Sequence, residues 1–163
     1  MYKIKPILPA QDKNIADIIV NVGKEYGAIG EGFGPSDPEV MSMSQYYNDA
    51  RSCQYLVATL NEEIVGGCGI AAFNQSLEIS ELRKLFLLPA SRGMGIGKAL
   101  TIECLRFAQN SGYKQCYLDT LKNMTSAISL YEKLGFKHLH SPLEGTIHNG
   151  CDVWMLKALS NHV

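Results

Sequence analysis

Between Leu87 and Lys98 an apolar run gives way to three alternating glycines, Gly93, Gly95 and Gly97, at the head of a helical pattern. Glycines let backbone pass close to a bound group, and the free N–H groups and positive dipole end of a helix favour an anion there, a phosphate above all. Spacing narrows which phosphate. A P-loop needs glycine five positions before the Gly97-Lys98 pair and Ser or Thr after the lysine, where this chain has Arg92 and Ala99. A G-x-G-x-x-G fingerprint begun at Gly93 needs glycine at Lys98, and must follow the opening strand of a parallel βαβ unit. Both fail. His138, His140, His148 and Cys151 match no familiar zinc spacing, so no metal is expected. Cys104 and Cys116 read as small core residues rather than acyl carriers.

The elements that must position this loop follow from pattern. Residues Tyr2 to Leu8 form a first strand stopped by Pro9, and Asp12 begins a helix with Ile15, Ile18, Ile19 and Val22 on one face, ending near Gly27. Breakers crowd Gly27 to Pro38, and a second helix is expected from Pro38 to Ala50. Strands at Gln54–Leu60, Ile64–Phe73 and Leu77–Leu88 are joined by short turns, which makes an antiparallel meander. The Gly66, Gly67 and Gly69 set inside the middle strand requires something to pack closely on it. A helix from Ile96 to Asn110 leads to a strand at Lys114–Thr120, parallel to the one before the loop through a right-handed crossover. A helix over Thr125–Leu134 and strands near Phe136–His140 and Asp152–Lys157 complete one α+β domain over residues 1–163.

Composition excludes several classes. The chain has 46% apolar and 19% charged residues and a net charge of −1, which offers no footprint for nucleic acid. No apolar run is long enough to span a membrane, and the N-terminus lacks the apolar core of a signal peptide. Five cysteines without a C-x-x-C pair fit reduced thiols and a cytoplasmic location.

The run Arg92-Gly93-Met94-Gly95-Ile96-Gly97 resembles the Q/R-x-x-G-x-G/A pyrophosphate loop of the GNAT superfamily of acyl-CoA dependent N-acyltransferases. Leu118-Asp119-Thr120, then Asn123 and Ala127, then Leu130-Tyr131-Glu132-Lys133-Leu134-Gly135-Phe136 is similar to the strand and tyrosine-bearing helix that follow in that family. The order of strands and helices agrees from Gln54 to Lys157, and the N-terminal third agrees in outline. The resemblance implies a three-layer α/β/α fold with a mixed, mostly antiparallel sheet and one splayed parallel strand pair. It implies acetyl-CoA as cosubstrate and a small-molecule or peptide amine as acceptor, and dimers are common in the family.

On that resemblance, Arg92, Gly93, Met94, Gly95, Ile96, Gly97 and Lys98 would hold the coenzyme pyrophosphate, and backbone groups of Phe86, Leu87 and Leu88 the pantetheine arm, with Asn123 also touching the coenzyme. An amide near Leu87 would polarise the thioester carbonyl. An amine with a pKa of about 10.4 is protonated at pH 7, so attack needs a base. Glu81 is the first choice, with Glu78, His148 and ordered water as alternatives. Tyr131 corresponds to the family's general acid, donating to the leaving thiolate, although its spacing also suits a core aromatic and Asn123 also suits a helix cap. Direct transfer in a ternary complex is expected, and a non-catalytic acyl-CoA sensor is the alternative.

Overall fold

The computed structural model describes residues 1–48, 50 and 52–160. Its elements are β1 (Tyr2–Pro6), α1 (Asp12–Glu25), α2 (Met43–Tyr46), β2 (Gln54–Leu60), β3 (Glu63–Ala72), β4 (Ile79–Leu87), α3 (Ile96–Asn110), β5 (Gln115–Thr120), α4 (Thr125–Lys133), β6 (Lys137–His138) and β7 (Val153–Ala158). The strands form a seven-stranded sheet in the order β1-β2-β3-β4-β5-β7-β6. Every neighbouring pair is antiparallel except β4 and β5, which α3 joins as a parallel pair.

Strand periodicity builds a core on each face of this sheet. Along β2, Leu56 and Ala58 face a cluster with Ile96, Leu100 and Cys104 of α3 and Tyr131 of α4. Tyr55 and Val57, which alternate with them, face Ile15, Ile19 and Val22 of α1 and Met43 of α2. Three layers result: α1 and α2, the sheet, then α3 and α4. Cys104 and Cys116 are fully buried in the core beneath α3 and α4, as small apolar side chains there would be.

The helix expected over Pro38–Ala50 is instead a 3-10 turn at Pro38–Ser42 followed by the single turn of α2, and Asp49 lies outside the described residues. Ser42 leaves helical geometry at φ −147° and ψ 50°, while the N–H and hydroxyl of the next serine, Ser44, both donate to Asp12 at 2.9 and 2.6 Å. That tertiary capping bond ties the segment to the start of α1 and replaces continuous helix. The strand expected to reach His140 stops at His138, so His138 and His140 share no strand face.

The glycines of β3 meet the requirement placed on them. A Cβ on Gly67 would strike the Tyr55 ring and sit 2.6 Å from the Leu56 carbonyl, and one on Gly69 would lie 2.9 Å from the same ring. The Tyr55 ring therefore crosses β3, and its hydroxyl donates to the Lys84 carbonyl at 2.8 Å. Lys84 is where β4 is irregular: opposite Cys68 the strand holds both Lys84 and Leu85, and Lys84 takes φ 55°. A bulge bends its strand. Here it turns β4 away from β5, with which it pairs only through Ile79, Ser80 and Glu81.

Candidate active site

Two clefts meet where β4 and β5 part. One, of about 320 Å³, is walled by Leu87, Arg92, Gly93, Gly95, Ile96, Gly97 and Lys98 on one side and by Ser126, Ala127 and Leu130 of α4 on the other. The other, about 80 Å³, holds Glu81 of β4, Asp119 of β5, Tyr131 of α4 and His148 of the loop before β7. Leu85, Phe86, Met124 and Ala127 line both, so the two clefts adjoin across the end of the strand gap.

The glycine loop takes the form its sequence demands. Gly95 precedes α3 with φ 82° and ψ 4°, a left-handed conformation that turns the chain so that the first amides of α3 face the larger cleft. Leu88 donates its N–H to the Val65 carbonyl at 2.8 Å. Successive residues of an antiparallel ladder alternate in direction, so the Leu87 backbone faces away from β3 and toward the cleft. Its carbonyl accepts the Arg92 guanidinium at 3.1 and 2.9 Å. The same guanidinium forms a two-pronged pair with Glu25 at 2.6 and 2.9 Å and lies 5.5 Å over the Tyr26 ring.

Leu87, Phe86, Arg92, Gly93, Gly95, Ile96, Gly97 and Lys98 are thus brought to one cleft. Leu88, Met94 and Asn123 are not among its lining residues. Leu88 turns its N–H into the β3 ladder rather than toward the cleft. Met94 projects outward from the loop, and the Asn123 side chain donates to the Tyr26 carbonyl at 3.0 Å, bridging to the end of α1.

In the smaller cleft, Glu81 and Tyr131 face the same space from β4 and α4. Glu78 does not reach it: its side chain is 68% exposed and pairs with Lys114 at 3.3 Å. Tyr131 is 6% exposed and packs edge-on against Phe136, and burial holds its phenol well above the usual range. It lines the smaller cleft as a phenol that burial keeps protonated.

Around this space lies a buried ionic network of which the sequence points only to Glu81 and His148. Lys84 bonds Asp37 at 2.9 Å and Glu39 at 3.0 Å, and Tyr47 donates its hydroxyl to Glu39. Arg83 bonds Glu81 at 2.7 Å. His148 presents Nε2 to Asp37 at 2.7 Å and Nδ1 to Asp119 at 3.1 Å, with Glu81 3.5 Å from Nδ1. Asp119 also accepts the hydroxyls of Thr146 and Tyr117 at 2.6 and 3.2 Å. A carboxylate only accepts, so an imidazole with both nitrogens against carboxylates carries both protons. Burial lowers the pKa of His148, but the bonds to Asp119, Asp37 and Glu81 outweigh it and raise it to about 11. His148 is a cation, which argues against its candidacy as a base.

Burial likewise raises Asp37, yet His148 and Lys84 hold it below the ordinary carboxylate range. Glu81, Asp119 and His148 offer metal-ligand types within 4.8 Å of one another. An imidazole ligates through an unprotonated nitrogen, and both nitrogens of His148 are engaged as donors. The donor set fits an ion-pair network better than a metal. The one hint of its other members in the sequence was chemical incongruity: Arg83 and Lys84 interrupt an apolar strand, and Asp119 interrupts another.

Residues 26–136 match the model of the acetyltransferase (GNAT) family. An uncharacterised N-acetyltransferase of Escherichia coli, YjgM, is 40% identical over 147 residues, covering 89% of this chain and 87% of that protein. Among solved structures, an acetyltransferase from Streptococcus agalactiae superposes with a TM-score of 0.82 at 22% identity, covering 97% of this chain and 98% of that one. The PaiA N-acetyltransferase of Thermoplasma acidophilum, solved in complex with coenzyme A, superposes with a TM-score of 0.76 at 19% identity over 97% and 99% of the two chains.

Proposed function

The chain belongs to the GNAT acetyltransferase family, and from that premise we propose that it moves an acetyl group from acetyl-CoA to a small-molecule or peptide amine by direct attack. The observation that carries this reading is the junction of the two clefts: a helix N-terminus built for an anion lies at one end, and a carboxylate and a buried phenol at the other. The PaiA protein, which shares this fold, is in complex with coenzyme A, which supports coenzyme A as the carrier of the acetyl group.

In this assignment the amides from Gly93 to Lys98 and the Lys98 ammonium hold the pyrophosphate. The pantetheine arm runs along the splayed side of β4, where the Leu87 N–H is available to it and to the thioester oxygen. Glu81 takes a proton from the acceptor ammonium, and the freed amine lone pair attacks the thioester carbon. The tetrahedral intermediate collapses with cleavage of the C–S bond, the thiolate takes the Tyr131 hydroxyl proton, and the second proton shed by the nitrogen restores the phenol. Arg92, engaged with Glu25 and Leu87, serves to fix the strand end against α1. A single sheet from β1 to β7 supports treating residues 1–163 as one domain, and the cysteines, all free of disulfides among the described residues, suit the cytoplasm. No helix among the described residues is long and apolar enough to cross a membrane.

The test is thiol release from acetyl-CoA across a panel of primary amines. Tyr131→Phe and Glu81→Gln should each lower kcat by about 10²-fold or more, the usual worth of a positioned acid or base, while calorimetric coenzyme affinity stays within a few-fold. Coenzyme binding with no thiol release on any amine would instead indicate a non-catalytic acyl-CoA sensor.

A further inference from the structure

The acceptor end of the cavity is closed by two segments far apart in sequence. Ala28, Phe33, Gly34 and Pro35, from the glycine-rich loop after α1, form one wall, and His148 and Cys151 from the loop before β7 form another. The segments meet along a seam: Gly150 donates its N–H to the Gly32 carbonyl at 2.9 Å, and the Phe33 ring lies against the Cα of Gly150 so closely that a Cβ there would sit 2.6 Å from it. Behind the first segment, Pro35 packs on Gly23 of α1, where a Cβ would be 2.7 Å away.

At the centre of the seam stands His148, 5% exposed. Nε2 reaches Asp37 at the end of the glycine-rich loop, and Nδ1 reaches Asp119 on β5 with Glu81 of β4 beyond it. We propose that His148 is a positioning residue for the acceptor: its imidazolium bolts the 28–37 loop to the carboxylates of the cavity floor, which shapes the amine site beside Glu81. This rests on the acyl-transfer reading above.

Two features separate this role from that of a base. Both ring nitrogens already donate, so neither has a lone pair for an ammonium proton. The carboxylates it joins are braced from behind, Asp37 by Lys84, Glu81 by Arg83, and Asp119 by Thr146 and Tyr117. An imidazolium between three braced carboxylates transmits position, and its charge is what holds it there. A different cation of similar reach would serve; a neutral side chain would not.

The experiment compares His148→Gln, which removes the charge, with His148→Lys, which keeps a cation that is no base near pH 7. Hydrogen exchange of the 28–37 amides is followed together with steady-state kinetics for the best amine of the panel. For His148→Gln we expect amide exchange in 28–37 to quicken and the amine KM to rise about tenfold, the usual scale for losing a charge-assisted bond. The KM for acetyl-CoA should stay within about twofold, since no part of the larger cleft is touched. His148→Lys should restore most of both losses, and Asp37→Asn, which cuts the same bolt from the loop side, should reproduce the faster exchange. Unchanged exchange in His148→Gln would overturn the proposal, as would an equal collapse of kcat at constant amine KM in both His148 variants, the signature of a lost base. If the wild-type protein releases no thiol with any amine of the panel, the acyl-transfer reading fails, and the exchange data still decide whether His148 bolts the loop.

Discussion

Replacing Lys84 by methionine keeps the aliphatic stem and removes the ammonium between Asp37 and Glu39, which it meets at 2.9 and 3.0 Å. The Lys84 side chain is 1% exposed and the two carboxylates are 11% and 14% exposed, so solvent can do little to compensate. Removing one partner of a buried pair costs about 3–5 kcal/mol. The lower end, about 3 kcal/mol, applies here because His148 still serves Asp37 and Tyr47 still serves Glu39. At roughly 2–4 °C per kcal/mol for a chain of this size, the melting temperature should fall by about 6–12 °C at pH 7. The pH dependence carries a second signature. Burial raises both carboxyls, but in Asp37 His148 and Lys84, and in Glu39 Lys84, Tyr47 and Arg83, outweigh it and hold the groups below their ordinary values. A depressed carboxyl contributes stability that is fully present above its unfolded pKa and lost as pH falls through the folded pKa. Without Lys84 the burial effect is less opposed, so the two carboxyls protonate more readily and the variant loses less on acidification. The difference in melting temperature between wild type and Lys84→Met should therefore be widest near pH 7 and narrow toward pH 4. Circular-dichroism melts at several pH values test this. A drop below about 2 °C at pH 7, or a difference as large at pH 4 as at pH 7, would show that the network is wet and refute the reasoning.

Gly67→Ala should cost about 3 kcal/mol, the upper end for overpacking, because the new methyl meets the Tyr55 ring and the Leu56 backbone rather than a flexible side-chain end; a melting temperature within a few degrees of wild type would show that Tyr55 can move. Gly95→Ala meets nothing within 4 Å but must hold φ 82°, so it should destabilise the fold by only about 1 kcal/mol while weakening coenzyme affinity several-fold through a reshaped loop. Isothermal calorimetry with coenzyme A and a thermal melt separate the two effects, and unaltered affinity would count against the loop as the pyrophosphate cradle.

The parts of this protein that its sequence makes legible are those governed by near neighbours. The glycine loop, the 3.6-residue stripe of α1 and the meander of β2, β3 and β4 each follow from residues within one or two turns of one another, and the parallel β4–β5 pair follows from the single helix between them. The Pro38–Ala50 segment escapes that logic, because Asp12, 32 residues away, captures Ser44. The ionic network of the smaller cleft escapes it more completely. Asp37, Glu39, Glu81, Lys84, Asp119 and His148 come from segments scattered along the chain, and each taken alone is an ordinary polar residue of a loop or strand face. Four carboxylates and three cations, counting Arg83, become a site only when the sheet folds them into one dry space, where none can be buried without the others. The network leaves one carboxylate in excess, so its own charge is net negative, while the glycine loop brings amides and a lysine to the larger cleft. On the proposed acyl transfer, a polyanionic donor and a cationic amine would be drawn to different ones of these two adjoining clefts, and β4, with its bulge at Lys84, is the strand that both share.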